Sequence, residues 1–298
     1  MNFNLKHIIE YVALRMIAGM ARILPYKAAL SLGFINAWFS FFIVGFRRKE
    51  AISRILEVFG NRISRCEASN IAWLSWRNII FNGIEMMRVR DMNLTYINSI
   101  CDCKYAIDVL LKHSSSGKGG LIAVPHMGSW DMAAVICHLN GIPIFRIAAR
   151  QKNPLTTEYL NKIRQSHGID TMYRGSGELK EVIKRIKKGG MLAVMPDVRS
   201  GTEGINAPFL GKTANIGRGM ASFAWHCDVP IFPCIVTRSG WCKHEIKIYD
   251  AVWPDKNLAK EEDIKRMTLA VMKIIDEAIA RDPSQWFWFN KRWILEPI

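Results

Sequence analysis

The sequence predicts an α/β fold in which a central, largely parallel sheet is flanked by helices and follows an N-terminal hydrophobic helical segment. From about residue 119, short apolar runs alternate with amphipathic stretches, a pattern typical of strands joined by crossover helices. The 298 residues are enough for one large domain with a sizeable core. Strands are predicted over 120–125, 142–148, 169–173, 191–195, 230–237 and 244–251. Helices are predicted over 130–139, 154–167, 177–188, 215–227 and 258–281.

Two consecutive N-terminal segments have the composition of membrane-associated helices. On a helical wheel of residues 5–24, charged side chains share one side and apolar side chains the other, as in a helix at a membrane interface. Residues 28–46 contain only three clearly polar side chains and are just long enough to span a bilayer. Basic residues flank both ends, so a membrane span, a hairpin or in-plane insertion, and a buried core helix all stay open.

The domain organisation follows from this division. Residues 1–50 are predicted to form the membrane-associating helical segment, and residues 51–298 the α/β domain. Residues 51–115 are a helical lead-in to that domain. Within the lead-in, large apolar side chains recur at helical spacing, which predicts a buried apolar stripe. They are Trp73, Trp76, Ile80 and Ile84.

Charge and cysteine content narrow the class of partner. The formal net charge is +15 and the isoelectric point about 9.6, which favours an anionic partner. The sequence has no zinc-finger spacing or RNP-like motif, so we expect an anionic membrane surface and no nucleic acid. Seven cysteines, an odd number, indicate reduced thiols. The one-residue spacing of Cys101-x-Cys103 and Cys242-x-His244 is unlike that of zinc sites, so no metal is expected.

The segment 119–131, GGLIAVPHMGSWD, is the strongest candidate for a chemical site. An apolar strand ends just before His126, and a helix is predicted to begin at Trp130. Asp131 then lies in the first helical turn, from which we expect its carboxylate to reach the imidazole of His126. Such a carboxylate fixes the tautomer of a histidine that acts as a general base near pH 7. The alternative is a loop histidine beside an aspartate that only favours the helix dipole.

Further motifs follow in the order seen in the late acyltransferases of lipid A biosynthesis (lauroyl and myristoyl acyltransferases), which the chain resembles over nearly its whole length. These enzymes belong to the lysophospholipid acyltransferase superfamily, whose shared motif is H-x4-D/E. The chain differs at Asn290, where the family usually has histidine, and at 196–200, which replaces a P-D-Q-D-like stretch. The matching motifs are His126 with Asp131, Arg150-Gln-Lys-Asn153-Pro154, Met195-Pro196-Asp197, Ala207-Pro-Phe-Leu-Gly211 and the closing aromatic and basic run 283–293.

The resemblance implies an O-acyltransferase that moves a fatty acyl chain from a thioester of acyl carrier protein or coenzyme A to a hydroxyl of a lipid A precursor or related glycolipid. It implies no metal and no cofactor. The expected location is the bacterial inner membrane, with the catalytic domain on the cytoplasmic face, because thioester donors are cytoplasmic. Two alternatives stay open: an aminolipid or mannosylated phospholipid as acceptor, and a catalytically silent membrane lipid-binding protein of the same fold.

The sequence supplies candidates for the chemical step of such a reaction. His126 is the candidate general base, with Asp131 as its orienting partner. The developing oxyanion needs hydrogen-bond donors, for which the backbone N–H groups near residues 127–130 and the side chain of Arg150 are candidates. The aromatic run 286–289 either lines a lipid site or packs in the core.

Candidates for substrate binding lie at predicted strand ends. Arg150, Arg174 and Arg199 each follow a strand on the ligand-binding edge of an open sheet and are candidates for binding lipid phosphate. For each arginine, a role in a surface or structural ion pair is equally compatible with its position in the sequence. Asn153 and Asp197 complete the predicted substrate-binding set, and Asp197 either binds substrate or anchors Arg199.

Overall fold

A mixed, mostly parallel sheet of seven strands forms the centre of the computed structural model, which describes residues 4–148, 152–173 and 178–296. The strands are β1 (Cys101–Asp102), β2 (Gly120–Ala123), β3 (Ile144–Ala148), β4 (Asp170–Tyr173), β5 (Met191–Val194), β8 (Ile231–Ser239) and β9 (Lys243–Ile248), with β6 (Ile205–Phe209) and β7 (Lys212–Ile216) in a separate hairpin. The sheet order is β1-β9-β8-β2-β5-β3-β4. Only β8 and β9 pair antiparallel within this sheet, so the predicted fold class is confirmed.

Helices cover both faces of this sheet and enclose two apolar layers. They are α1 (Leu5–Ile23), α2 (Tyr26–Trp38), α3 (Arg48–Phe59), α4 (Arg65–Arg88), α5 (Leu94–Ile100), α6 (Lys104–Ser114), α7 (Trp130–Leu139), α8 (Pro154–Arg164), α9 (Glu178–Lys187), α10 (Gly219–Cys227) and α11 (Lys260–Arg281). Successive side chains of a strand point to opposite faces. Leu121 and Ala123 therefore join the layer under α10 and α11, whereas Ile122 joins the layer under α6 and α7.

The register of the central strands decides which loops meet. In the parallel pair β2 and β5, Ala123 lies opposite Val194, and each is the last residue of its strand. Because the two strands run in the same direction, the loops that follow them leave the sheet side by side at its carboxyl edge. The loop after β2 contains His126, and the loop after β5 contains Asp197.

The two N-terminal helices pack on α4. Small residues of α1 and α2, such as Ala18, Ala21 and Ala29, are buried against Phe81 and neighbouring apolar side chains of α4. A single turn of π-helix (Phe39–Ile43) extends α2. Within the described residues, one helix, Tyr26–Ile43, is long and apolar enough to cross a membrane, and 28% of it is buried.

The outer faces of these helices carry many exposed large apolar side chains. On α1, Leu5 and Ile23 are 71% and 86% exposed. On α2 and its π-helical turn, Ile35 and Ile43 are 61% and 60% exposed. Large apolar side chains exposed in such number on two neighbouring helices are typical of an interaction surface.

Residues 205–227 differ from the prediction. The expected helix 215–227 begins only at Gly219, because β6 and β7 form an antiparallel hairpin before it. Alternate residues of β6 are buried, which is the period-two pattern of a strand with one buried face. Leu210 and Gly211 make the turn with φ values of +52° and +74°, as a two-residue hairpin connection requires.

A buried ionic cluster fastens α4 to the antiparallel end of the sheet. Both carboxylate oxygens of Glu85 accept hydrogen bonds from Arg238 of β8, at 2.6 and 2.7 Å, and one lies 3.1 Å from the ring of His244 of β9. All three side chains are fully buried. Burial raises the pKa of Glu85, but the charge of Arg238 and these hydrogen bonds together hold that pKa well below its ordinary value. Tyr26 at the start of α2 also donates to Glu85, at 2.5 Å.

Candidate active site

His126 and Asp197 meet at the carboxyl edge of the sheet. Nδ1 of His126 lies 2.9 Å from Oδ1 of Asp197, and the backbone N–H of His126 donates to Oδ2 of the same carboxylate at 2.7 Å. The indole N–H of Trp286 also donates to Oδ2, at 2.8 Å. The Asp197 side chain is wholly buried, whereas 21% of the His126 side chain is exposed. The imidazole is therefore the member of the pair that a substrate can reach.

The electrostatics of this pair set the tautomer of His126. Burial raises the pKa of Asp197, but the positive charge on His126 and the hydrogen bonds together lower that pKa below its ordinary value. Burial likewise lowers the pKa of His126, but Asp197, with a smaller contribution from Asp131, raises it above its ordinary value. An ionised Asp197 accepts a hydrogen bond from the N–H at Nδ1, so the proton stays on that nitrogen. The neutral imidazole then has its lone pair on Nε2, as a general base requires.

Hydrogen bonds to α4 and to Gln285 hold the loop between β2 and α7 in place. The N–H of Gly128 donates to the carbonyl of Gln285 at 3.2 Å, and the Gly128 carbonyl accepts from the side-chain amide of Asn82. Arg238 donates to Asn82 at 2.7 Å, and its backbone N–H donates to the Gln285 side chain at 2.9 Å. The buried ionic cluster and the loop that contains His126, called the histidine loop below, therefore belong to one hydrogen-bond network.

Gly128 is required by its surroundings. Its φ is +53°, in the left-handed region that favours glycine. A Cβ at this position would overlap the backbone carbonyl of Val236 in β8. The tight turn that brings His126 over the sheet edge thus depends on the absence of a side chain at residue 128.

The predicted contact between Asp131 and His126 is not formed. Asp131 lies in the first turn of α7, as expected, but its Oδ1 accepts from Arg146 at 3.2 Å and lies 3.5 Å from Nε of Arg164. Asp197 takes the position against Nδ1 instead. Two guanidinium groups, one from β3 and one from α8, attract the Asp131 carboxylate more strongly than a neutral imidazole does.

A cavity of about 940 Å³ opens at this edge of the sheet. Its charged lining consists of His126, Asp131, Arg146, Arg164, Arg199 and Arg292. Its apolar lining includes Ile107, Leu110, Ile122, Ala134, Ile144 and Cys234, from α6, α7 and the sheet. A ligand that combines an apolar chain with an anionic group matches both parts of this lining.

The remaining predicted binding residues lie in different places. Arg199 lines the cavity, with Nη1 3.4 Å from the backbone oxygen of Glu296 and 3.9 Å from its carboxylate. Asn153 caps α8 and donates hydrogen bonds to α1 at 2.9 and 3.1 Å, so it connects two helices. Arg150 and Arg174 lie outside the described residues. The predicted roles of these four residues in binding stay predictions.

Three side chains of the site were missed by sequence reasoning. Arg146 and Arg164 line the cavity, and the only signal for Arg146 was a charge inside an otherwise apolar predicted strand. Trp286 belongs to the aromatic run for which two interpretations stayed open. Neighbours in this run differ: Trp286 is buried on Asp197, whereas Phe287 lines the cavity with its ring 6.3 Å from that of His126.

The fold and the site define the class of the molecule: an α/β protein with a histidine and carboxylate pair whose imidazole lines an apolar and cationic cavity. The chain belongs to the bacterial lipid A biosynthesis acyltransferase family, whose model matches residues 3–294. The resemblance seen in the sequence motifs is thereby confirmed.

Individual relatives are distant. The chain is 25% identical to the phosphatidylinositol mannoside acyltransferase of Mycolicibacterium smegmatis over 195 residues, which cover 64% of this chain and 62% of the relative. It is 26% identical to the lipid A biosynthesis acyltransferase of Haemophilus influenzae over 178 residues, or 58% of this chain and 53% of that protein. The matched region thus spans less than two thirds of either relative. Among solved structures, the 1-acyl-sn-glycerophosphate acyltransferase PlsC of Thermotoga maritima aligns with a TM-score of 0.38 and 17% identity, over 87% of this chain and 97% of PlsC.

Replacing Gly128 by alanine is expected to destabilise the protein more than the same change at Gly141. Both residues have positive φ, so each substitution costs about 1 kcal/mol of left-handed strain. Gly141 faces open space, whereas Gly128→Ala also forces the loop against Val236, which raises its cost to about 2–4 kcal/mol. Urea unfolding of the two variants measures the difference. Equal losses for both would show that the loop is free to move away from β8.

Proposed function

We propose that the protein transfers a fatty acyl chain from a thioester to a hydroxyl of a lipid A precursor or a related glycolipid. The observation that carries this proposal is the His126 and Asp197 pair, whose imidazole lines a cavity with both apolar and cationic side chains. Membership in the family supports the same reaction class. The donor in this proposal is acyl carrier protein or coenzyme A, each of which is acidic and suits a chain of net charge +15.

His126 acts as the general base in the proposed reaction. Its Nε2 takes the proton of the acceptor hydroxyl while the hydroxyl oxygen attacks the thioester carbonyl carbon. The new C–O bond gives a tetrahedral oxyanion, whose collapse breaks the C–S bond. The leaving thiolate takes the proton from Nε2, so the products are an ester and a free thiol. Asp197 keeps Nδ1 protonated and stabilises the imidazolium that forms between the two steps.

The first turn of α7 is the proposed donor to the oxyanion. Two of the predicted backbone donors already have acceptors. The N–H of Met127 donates to the carbonyl of Pro125 at 2.7 Å, and the N–H of Gly128 donates to the carbonyl of Gln285. The side chain of Ser129 makes no capping hydrogen bond to the helix that follows it. The N–H groups of a first helical turn have no acceptor within the helix, and this end of the helix favours negative charge.

The two parts of the cavity lining suit the two parts of a lipid substrate. We propose that the acyl chain lies against the apolar side chains of α6, α7 and the sheet. Arg199 and Arg292 on the lining then bind phosphate of the donor or the acceptor. Asp131 holds Arg146 and Arg164 at the cavity, and in this proposal it orders those cations instead of the imidazole.

Residues 5–46 are the proposed membrane attachment. One face of α2 is buried along α4, while the opposite face exposes large apolar side chains. A helix covered by its own protein along one side is suited to lie in the membrane plane, with only the outer face in lipid. We therefore favour in-plane insertion over a span, at the cytoplasmic face of the bacterial inner membrane.

A mannosylated phospholipid is the second candidate acceptor. The relative from Mycolicibacterium smegmatis carries the name of an enzyme that acylates phosphatidylinositol mannoside, and its match covers more of this chain than that of the Haemophilus relative. The chemistry proposed for His126 is the same for either acceptor, because both offer a sugar hydroxyl.

Expression of the chain in a bacterial host that lacks its own late acyltransferases is expected to add one acyl mass to lipid A. His126→Ala is expected to abolish this product, because no other group takes the hydroxyl proton. His226→Ala removes an exposed histidine outside the cavity and is expected to retain it. Mass spectrometry of total lipid and lipid A extracts gives the readout. A new acylated species in another lipid class would show that the acceptor is not lipid A. If folded, membrane-bound protein gave no new species, the acyltransferase proposal would be contradicted.

Asp197→Asn is expected to move the acid limb of the pH–rate profile to lower pH. The rate falls as pH decreases through the raised pKa of His126, because only neutral imidazole accepts a proton. Without the Asp197 charge, burial lowers that pKa, and loss of the fixed tautomer reduces kcat about 100- to 10,000-fold.

The matched control for this measurement is Asp131→Asn. Asp131 contributes less than Asp197 to the pKa of His126, so a smaller shift in the same direction is expected. Profiles of kcat/KM against pH compare the three proteins. An unchanged acid limb in Asp197→Asn would remove Asp197 from the mechanism.

Ala134→Leu is expected to shorten the preferred acyl chain. Ala134 lies on α7 in the apolar lining, so a larger side chain occupies cavity volume. The value of kcat/KM for the longest donors should fall about tenfold or more, while short donors are retained. Ala270→Leu on α11, outside the cavity lining, serves as the control. A uniform loss for all donor lengths would place the acyl chain elsewhere.

A further inference from the structure

A second concavity, of about 500 Å³, lies between α1, α8 and the end of α4. We call it the α1/α8 groove. It shares no lining residue with the cavity at His126. Helix α8 separates the two, since Arg164 lines the cavity while Tyr159 and Lys162 line the groove. The other polar residues that line the groove are Tyr11, Arg15, Arg22, Arg90, Glu158 and Ser166.

Two of the four cations of the groove are neutralised by carboxylates. Arg22 makes hydrogen bonds to both oxygens of Asp91, at 2.7 and 2.8 Å. Lys162 forms an ion pair of 2.8 Å with Glu158. These pairs fix the walls of the groove without adding net charge.

Among the described residues, the other two cations form no ion pair with a carboxylate within 4.0 Å, although the charge of Arg90 contributes to the lowered pKa of Asp91. Arg15 donates to the hydroxyl of Tyr11 at 2.9 Å, and its guanidinium lies 5.0 Å from the ring centroid of Tyr159. Arg90 is exposed and, within the described part of the chain, makes no hydrogen bond and no ion pair shorter than 4.0 Å. The groove, with its paired carboxylates, therefore carries a net charge of +2. This charge resides on the guanidinium groups of Arg15 and Arg90, whose planar geometry suits phosphate oxygens.

The groove lies next to the exposed apolar side of α1. On this helix, Tyr11, Arg15 and Arg22 form a strip between the buried strip of Ala18 and Ala21 and a strip of exposed apolar residues. The exposed strip consists of Leu5, Ile9, Val12, Met16, Met20 and Ile23. If that strip enters the hydrocarbon, the groove stands at the level of the lipid headgroups.

We propose that the α1/α8 groove binds the phosphate of an anionic membrane lipid, whose acyl tails lie along the exposed strip of α1. Arg15 and Arg90 bind the phosphate oxygens. A lipid is favoured over free inorganic phosphate because the apolar strip next to the groove adds burial for the tails. Binding at this point fixes the orientation of the protein on the bilayer. This proposal does not rest on the acyltransferase reaction.

Vesicle binding by the purified full-length chain tests the proposal. Phosphatidylglycerol vesicles are compared with oleate vesicles of equal surface charge, which offer carboxylate in place of phosphate. We expect tighter binding to phosphatidylglycerol, and Arg15→Gln/Arg90→Gln should reduce that binding about tenfold while affecting oleate vesicles much less. The control, Lys265→Gln/Lys273→Gln on α11, removes the same charge outside the groove and should leave the preference intact.

Two outcomes would overturn the proposal. Equal losses on both vesicle types, or the same loss in the control, would show only general attraction to an anionic surface. Saturable binding of inorganic phosphate that the double variant loses, without a preference between vesicles, would assign the groove to a free anion. The single variant Arg90→Gln removes an exposed side chain that makes no hydrogen bond or close ion pair to the described residues, so it should give part of the effect with an unchanged melting temperature.

Discussion

The buried carboxylate of Asp197 is the constraint on which the site depends. An ionised group in the interior costs several kcal/mol unless hydrogen bonds and a charge compensate it. Here the donors come from the loop after β2 and from Trp286 near the end of the described chain. Satisfying this one charge therefore brings two strand ends and the aromatic segment together. The same bonds fix the tautomer of His126, so the fold and the proposed catalytic geometry depend on the same interactions.

Helix α4 connects the N-terminal helices α1 and α2 to this site. One side of α4 packs against α1 and α2. Another side presents Glu85 to Arg238 and Asn82 to the loop at Gly128. The histidine loop is therefore held by the same helix that carries the proposed membrane attachment. Because these polar groups are buried and hydrogen-bonded to one another, removing one of them would leave its partner unpaired in the interior.

Part of the high positive charge of the chain is concentrated at two places in the structure. Arginines line the cavity at His126, and a second set lines the α1/α8 groove beside an exposed apolar strip. Each place puts cations next to apolar surface, which suits an anionic lipid better than a nucleic acid. In our proposals the cavity takes the reacting molecules, and the groove takes a lipid that orients the protein.

The features that depend on local periodicity could be predicted from the order of the amino acids. The sheet strands after residue 119, helix α7 and the placement of His126 and Asp131 follow from apolar spacing and turn residues over a few positions. Tertiary structure alone decided which carboxylate meets the imidazole. Asp131 is five residues away but faces Arg146 and Arg164, whereas Asp197, 71 residues away, is brought in by the register of β2 and β5. Spacing along the chain contains no information on strand order, and strand order sets this partner.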